Sequence, residues 1–236
     1  MHFEKEYFED FKYPQRENLI KRHVLEVLKW GAKVSDRDLL NGQGKTALDV
    51  GCAYGFAVDV LKSLGYDSLG VDISRYSIKQ AKKKIRIVDF AVCDMQSGLP
   101  FKKESFDLVT CFEVIEHLAN PLRAIKNISS ICKNTMIYTT PNKLVEKPVK
   151  KIVRDLDKTH VNVKTPREWE KYLRENLQFG FIKVEPFFDT NLRVKNKLLF
   201  FKSFKIPHYG LDARIIIKKN STNNAKNTFK ISPKKK

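Results

Sequence analysis

The residues best placed for chemistry lie in a turn that follows a short apolar segment. Leu48-Asp49-Val50 leads into Gly51-Cys52-Ala53-Tyr54-Gly55, which has two glycines and no Lys or Arg. Glycines at the end of a strand let the backbone approach a ligand closely. A carboxylate, Asp72, ends the next apolar segment 21 positions after Gly51. An acid at about that spacing reaches ribose hydroxyls, so the pattern predicts a nucleoside site.

The glycine spacing indicates which nucleoside is bound. A dinucleotide site requires G-x-G-x-x-G, because a pyrophosphate must lie at the helix N-terminus. Here the pattern is G-x-x-x-G, with Ala53 at the position of the second glycine and Asp49 at the end of the preceding strand. A nearby carboxylate and a loop without cations suit a cationic ligand that has no phosphate. We therefore expect S-adenosylmethionine.

Further motifs follow at regular intervals, and together they resemble the class I methyltransferases. They comprise Leu48 to Gly55, Gly70 to Ser74, Cys93-Asp94-Met95 and Ser105 to Leu118, and the likeness covers about residues 46–142. It implies that Asp72 binds ribose, Asp94 the adenine amine and the glycine loop the methionine part. Many relatives have glycine at the position of Ala53, where we expect tighter packing. The expected cofactor-binding residues are Asp49, Gly51, Cys52, Ala53, Tyr54, Gly55, Asp72, Ile73, Asp94, Met95, Phe112 and Glu113.

The string Glu113-x-x-Glu116-His117 leaves two interpretations open. If a helix begins near Glu113, the two carboxylates and the imidazole share one face and could hold a divalent metal, with His160 as a further ligand. The string resembles the metal-binding motif of ubiquinone-pathway O-methyltransferases and of small-RNA 2′-O-methyltransferases. Other family members carry it without a metal, to shape the donor pocket. In that case His117 or His160 would be the catalytic base for a hydroxyl acceptor.

Hydrophobic periodicity predicts a Rossmann-like α/β fold with a seven-stranded, mostly parallel sheet and helices on both faces. The expected domain spans residues 1–218, with a helical segment at 1–40 whose helix begins near residue 15. Residues 142–164 and 188–211 interrupt the alternation and are interpreted as insertions on the substrate side. Thr165-Pro166-Arg167-Glu168 predicts a capped helix start. The basic tail, 219–236, is expected to be disordered. The expected strands lie at 46–50, 68–72, 87–92, 106–112, 135–139, 181–184 and 213–217.

Charge and composition limit the classes of molecule that the protein could bind, but they do not identify the methyl acceptor. Residues 1–142 hold 21 Lys and Arg and 18 Asp and Glu, whereas residues 143–236 hold 24 and 9. The basic half could bind RNA or form a solvated surface. A small-molecule or glycan O-methyltransferase ranks first, an RNA methyltransferase second, and a non-catalytic nucleoside-binding protein third. Without a predicted transmembrane segment, a cytoplasmic protein is expected, with its four cysteines as buried free thiols.

Overall fold

The computed structural model describes residues 3–146, 158–194 and 197–219. Within these ranges the chain forms eight strands, with helices between most of the parallel ones. The helices are α1 Lys5–Asp10, α2 Glu17–Ser35, α3 Phe56–Ser63, α4 Arg75–Lys84, α5 Pro121–Ile131 and α6 Pro166–Asn176, with 3-10 turns at Tyr13–Arg16 and Ile115–His117. The strands are β1 Thr46–Val50, β2 Asp67–Asp72, β3 Asp89–Val92, β4 Phe106–Phe112, β5 Cys132–Pro141, β6 Phe181–Val194, β7 Lys197–Lys205 and β8 Asp212–Lys218.

All eight strands form one sheet in the order β3-β2-β1-β4-β5-β8-β6-β7. Strands β1 to β5 pair in parallel, and β8 pairs antiparallel with both β5 and β6. The chain first builds outward from β1 to β3 and then resumes at β4 on the other side of β1. The gap between the carboxyl ends of β1 and β4 is therefore the switch point, where open α/β sheets bind ligands. The predicted Rossmann-like architecture is confirmed.

The prediction of seven strands missed one strand. Residues 188–211 lack clear periodicity in the sequence, yet residues 188–194 continue β6 and residues 197–205 form β7. Strand β7 is at the edge of the sheet and pairs only with β6 among the described elements. The described apolar side chains of β7 are exposed or half-buried on both faces, so the strand lacks the alternation that reveals a strand with one buried face. Most of the interval is thus an edge hairpin rather than a loop insertion.

Helices cover both faces of the sheet, as expected. On one face, α2 and α3 bury Val27, Leu28 and Leu61 against Leu108 and Ile216 of the sheet. On the other, α5 and α6 form a core with the alternate residues of the same strands, including Ile125, Ile128, Trp169, Met136 and Ile215. This alternation explains why the central strands read as continuous apolar segments.

Two helix starts confirm local sequence signals. The Thr165 hydroxyl accepts the Glu168 amide, and the Glu168 carboxylate accepts the Thr165 amide, which completes the predicted capping box. Ser74 caps α4 by accepting the Ser77 amide at 3.1 Å. Helix α2 begins at Glu17, close to the predicted start, whereas α1 had no predicted counterpart. No helix among the described residues is long and apolar enough to span a bilayer. The tail after Lys219 lies outside the described residues.

Candidate active site

The glycine turn after β1 is held against the end of β2 by backbone hydrogen bonds. The amides of Gly51 and Cys52 both donate to the Val71 carbonyl, at 2.8 and 3.0 Å. The Gly55 amide donates to the Cys52 carbonyl at 2.8 Å, which closes the turn at the start of α3. These bonds leave the turn at the switch point, between the ends of β1 and β4.

The glycines in this turn are required by both backbone conformation and close packing. Gly51 has φ +80°, and a Cβ added there would lie 2.4 Å from Cγ2 of Val114. Gly55 has φ +78°, and its Cβ would lie 2.6 Å from the Phe90 ring. Ala53 has φ +46°, a left-handed conformation that favours glycine. Its methyl group is buried in an aromatic cluster, which agrees with the expectation of tighter packing.

Asp72 joins the turn to the next helix. One carboxylate oxygen accepts the Ala53 amide and the other accepts the Ser74 amide, both at 2.8 Å. Burial raises the pKa of this carboxyl group, and the hydrogen bonds from the two backbone amides oppose that rise. Each carboxylate oxygen can accept a second hydrogen bond. Asp72 can therefore position the glycine turn and still bind a hydroxyl pair.

Asp49 is the second acid at the switch point. It is 3% exposed, and one oxygen accepts the Thr110 hydroxyl of β4 at 2.7 Å. Burial and, less strongly, the Asp72 carboxylate raise its pKa from 3.8 to about 7, and the Thr110 bond opposes this. A cationic ligand beside Asp49 would stabilise its ionised form.

The predicted adenine side of the pocket lies at the end of β3. The Cys93 amide donates to the Asp72 carbonyl at 2.8 Å, which brings the two strand ends together. Asp94 follows, and its carboxylate accepts the Gln96 amide and the Ser97 hydroxyl. Ile73 is 50% exposed although it is apolar. An exposed isoleucine between two strand ends is a suitable surface for a planar base.

The helical geometry assumed for Glu113-x-x-Glu116-His117 is wrong. Glu113 has φ +53°, and only a short 3-10 turn, Ile115–His117, follows it. The ligand atoms of Glu116, His117 and His160 lie within 4.8 Å of one another, and Glu113 is not in that group. Its amide donates instead to the Thr139 carbonyl of β5 at 3.0 Å. A left-handed residue directs the chain away from a helix and separates the two carboxylates.

Glu113 is exposed at the end of β4. Solvent reaches its side chain, yet the surrounding protein raises its pKa, as does the Asp212 carboxylate more weakly. His23 and the Thr139 hydroxyl oppose that rise. Phe112 precedes it at the end of β4 and is partly buried against the core of α2 and α3.

The cluster of Glu116, His117 and His160 is the most unusual electrostatic feature of the site. Glu116 is completely buried, and among the described residues neither of its oxygens has a hydrogen-bond partner. Burial and, next, the Glu113 carboxylate raise its pKa well above the ordinary value. The rings of His117 and His160 lie 4.7 Å apart. A buried carboxyl group without a partner is unfavourable unless the site serves a ligand.

Both histidines are oriented through Nδ1. Thr159 Oγ1 lies 2.7 Å from Nδ1 of His117, and Glu146 Oε1 is in close contact with Nδ1 of His160. The backbone of the 158–162 segment is held beside them, because the amides of Val161 and Asn162 donate to the Glu116 carbonyl. The described part of 142–164 thus lies beside both histidines, while residues 147–157 lie outside the described residues.

Aromatic side chains near the N-terminus cover the site, and the sequence interpretation missed this contribution. The rings of Phe3 and Tyr7 lie 5.2 and 6.4 Å from the His117 ring. Phe8, one residue further, packs 5.3 Å from the Tyr54 ring of the glycine turn. Tyr13 stacks on Phe56 at 5.5 Å, and Asp49 and Asp72 both act on its hydroxyl, whose pKa burial raises strongly. The aromatic spacing over residues 3–13 was the available signal.

A second buried charge cluster flanks Glu113. Asp189 accepts hydrogen bonds from His23 Nδ1 at 2.6 Å and from Arg214 at 2.8 Å. Arg214 is 1% exposed and also donates to Asp212, while Phe187 covers its guanidinium at 4.0 Å. Arg214 thus contacts both carboxylates, and the cluster ties α2 to β6 and β8. Its residues come from distant parts of the sequence, so no local motif predicted the cluster.

Comparison with known proteins agrees with this geometry. The methyltransferase-domain family matches residues 48–137, which contain the glycine turn, Asp72, Asp94 and the start of β5. Residues 48–137 form a methyltransferase domain. The domain is of the class I, S-adenosylmethionine-dependent type, as the sequence predicted. A ubiquinone biosynthesis O-methyltransferase from Methylococcus capsulatus is 30% identical over 106 residues, 42% of this chain and 45% of that protein. One from Coxiella burnetii is 32% identical over 106 residues, 43% and 45% of the two chains.

The chain spans about half the length of the curated relatives it matches. Solved structures resemble the chain over more of its length. A SAM-dependent methyltransferase from Archaeoglobus fulgidus has a TM-score of 0.65 at 22% identity, with 90% of this chain and 100% of that one covered. A magnesium protoporphyrin IX methyltransferase from Synechocystis with bound S-adenosylhomocysteine has a TM-score of 0.57 at 19% identity, over 85% and 83%. These likenesses extend the shared fold beyond residue 137.

Proposed function

We propose that this protein transfers a methyl group from S-adenosylmethionine to a hydroxyl group of a small-molecule or glycan acceptor. One observation carries the proposal: helix α1 contacts both the glycine turn, through Phe8 and Tyr54, and the His117 ring, through Tyr7. Helix α1 therefore contacts both the donor turn and the histidine cluster, which places the two groups close together. Methyl transfer needs this proximity, because the acceptor oxygen must attack the sulfonium methyl in line.

In this proposal the donor is held by the two acids at the switch point. Asp72 binds the ribose hydroxyls, and Asp49 lies on the side of the cationic methionine part. Asp94 accepts a hydrogen bond from the adenine amine, and Ile73 and Met95 pack against the base. The glycine turn supplies close backbone contact along the methionine part. The donor complexes of structural relatives, such as the Synechocystis enzyme, support this assignment of the ligand.

The acceptor proton goes to the histidine pair. Oε1 of Glu146 is in close contact with Nδ1 of His160 and fixes the orientation of that ring. His117 lies beside it, and its Nε2 is 3.9 Å from the Glu116 carboxyl group. A neutral imidazole is a suitable base near neutral pH, so His160 takes the proton and His117 orients the acceptor.

A divalent cation also fits the residues present. The unpartnered carboxyl group of Glu116 and two imidazoles form a mixed oxygen and nitrogen donor set, which suits a transition metal. Glu116, His117 and His160 would hold it. When bound, it would act as a Lewis acid that lowers the pKa of the acceptor hydroxyl.

A transfer assay with methyl-labelled donor and separate pools of small phenols and alcohols, glycans and RNA tests the proposal. We expect label in a hydroxyl-bearing small molecule or glycan, and loss of transfer in His160→Ala. Loss on chelation, with recovery on adding a divalent ion, assigns the metal role, whereas chelator-resistant transfer assigns the base role. Label found only in RNA would contradict the acceptor assignment. Tight donor binding with no transfer to any pool would indicate a non-catalytic protein.

A further inference from the structure

Along β7, one face of the hairpin of β6 and β7 is covered by no described element. Alternate residues of β7, Phe200, Lys202 and Phe204, share that face, because successive strand residues point to opposite sides. Phe200 is 48% exposed and Phe204 38%. Ile206, just after the strand, is also exposed. Aromatic and aliphatic side chains of this size are usually buried, so a group of them on one face marks an interaction surface.

The geometry of the sheet explains why this face is uncovered. Near the start of β6, Ile182 and Val184 on the same face pack into the core beneath α6. Further along, Phe188 occupies that face and pairs in register with Phe204, beyond the part that α6 covers. The opposite face of the hairpin is occupied, since Ser203 bonds Arg214 and Lys205 bonds Glu185. Only one side of the hairpin is therefore available to a partner.

The outer part of the hairpin carries charge of a single sign, and the two acids of β6, Glu185 and Asp189, are paired with Lys205 and Arg214. Residues 190–211 contain five Lys and Arg and no Asp or Glu. The ammonium group of Lys202 lies 4.9 Å from the Phe204 ring, so cation and aromatic ring occupy the same patch. Exposed leucines flank it, with Leu199 at 62% and Leu211 at 41%. Aromatic rings, aliphatic side chains and lysines whose charged ends can reach headgroups are the composition of membrane-interface segments.

We infer that this hairpin face, Phe200 to Ile206, docks the protein on an anionic lipid surface. The absence of acids matches a negatively charged surface, which attracts basic segments electrostatically. The aliphatic residues favour lipid over single-stranded RNA, because bases stack on aromatic rings and gain little from leucine or isoleucine. Docking is peripheral and does not depend on the proposed methyl transfer.

The hairpin is joined to the carboxyl edge of the sheet. The connection from β7 to β8 is fixed to the end of β5, since the Asn142 side chain donates to the carbonyls of His208 and Gly210 at 2.8 and 2.9 Å. The Asn142 amide also donates to the Leu211 carbonyl. The exposed hairpin thus continues directly into the carboxyl edge of the sheet that carries the donor turn.

Vesicle sedimentation with the full chain tests the inference. Vesicles of phosphatidylcholine mixed with phosphatidylglycerol should bind the protein, and pure phosphatidylcholine should bind it weakly. The double variant Phe200→Ser with Phe204→Ser should weaken binding at least about tenfold, because two partly inserted rings are lost. It keeps every charge, so the basic tail cannot account for a loss. Ile87→Ser, which alters a residue 72% exposed outside the hairpin, is the matched control and should bind normally.

A second variant keeps both aromatic rings. Lys202→Glu should reduce binding to the anionic vesicles and leave donor affinity unchanged. Unchanged vesicle binding in the double Ser variant would overturn the inference, as would RNA binding that depends on Phe200 and Phe204 without any vesicle binding. Donor binding and methyl transfer without vesicles should persist in both variants, so failure of docking is distinguishable from failure of the proposed activity.

Discussion

Replacing Asp49 by asparagine should remove a large pH dependence from both folding and donor binding. Asp49 is buried, and its pKa is raised from 3.8 to about 7 mainly by burial. A raised carboxyl pKa means that the folded state binds the proton more tightly than the unfolded state. This carboxyl group therefore favours the unfolded chain increasingly as pH rises from about 4 to about 7. Each pH unit corresponds to about 1.4 kcal/mol, so the full effect is about 4 kcal/mol.

Donor binding should change in the opposite direction. The ammonium group of the methionine part favours ionised Asp49, so affinity rises with pH until that carboxyl group is fully ionised. For a group with a pKa of about 7, affinity should increase about tenfold between pH 6 and pH 8. Asp49→Asn should bind more weakly and lose this contribution to the pH dependence.

Urea denaturation of the donor-free protein at several pH values, and calorimetric titration with S-adenosylhomocysteine, measure the two effects. Other carboxyl groups also titrate, so the informative quantity is the difference between the parent chain and the variant. That difference in unfolding free energy should change by about 3 kcal/mol between pH 5 and pH 8. Asp89→Asn, at an exposed position of β3, removes the same charge as a control. Parallel pH curves for the parent chain and Asp49→Asn would refute the reasoning.

Three further predictions concern the donor turn and the fold. Asp72→Ala should weaken donor binding by about 1–3 kcal/mol, the scale of hydrogen bonds to a charged group, and unchanged calorimetric affinity would exclude its ribose role. Gly51→Ala should lower the melting temperature and donor affinity more than Gly44→Ala, because both glycines have positive φ but only Gly51 has a neighbour within 4 Å of the added Cβ; equal losses would show that packing against Val114 is unimportant. Thr165→Ala removes the cap of α6 and should reduce the unfolding free energy by about 1 kcal/mol without changing donor affinity. A denaturation midpoint equal to that of the parent chain would contradict the last prediction.

Local patterns predicted the central sheet and the donor turn well. The glycines, Asp49 and Asp72 lie within one strand-turn-helix unit and its neighbour, so their positions follow from short-range backbone geometry. Caps such as Thr165 and Ser74 are local for the same reason. Family likeness added Asp94, whose role no spacing rule supplies.

Features that depend on long-range packing could not be predicted from local patterns. Glu113 interrupts the expected helix because its amide bonds Thr139, a residue of another strand. Strand β7 has no regular alternation because it lies at an edge with one uncovered face. The cluster of His23, Asp189 and Arg214 brings three distant segments together. Helix α1 covers the site through aromatic rings that contact it only after folding.

Helix α1 should exchange its amide hydrogens with solvent earlier than the sheet does. A helix of six residues is too short to be stable alone, and its N-terminus has no side-chain cap. Its position depends instead on the contacts of Phe3, Tyr7 and Phe8 with the site. Opening α1 requires breaking a few ring contacts and leaves the sheet intact, so it should be far more frequent than global unfolding. We therefore expect bound ligand to slow amide hydrogen exchange first in residues 5–10.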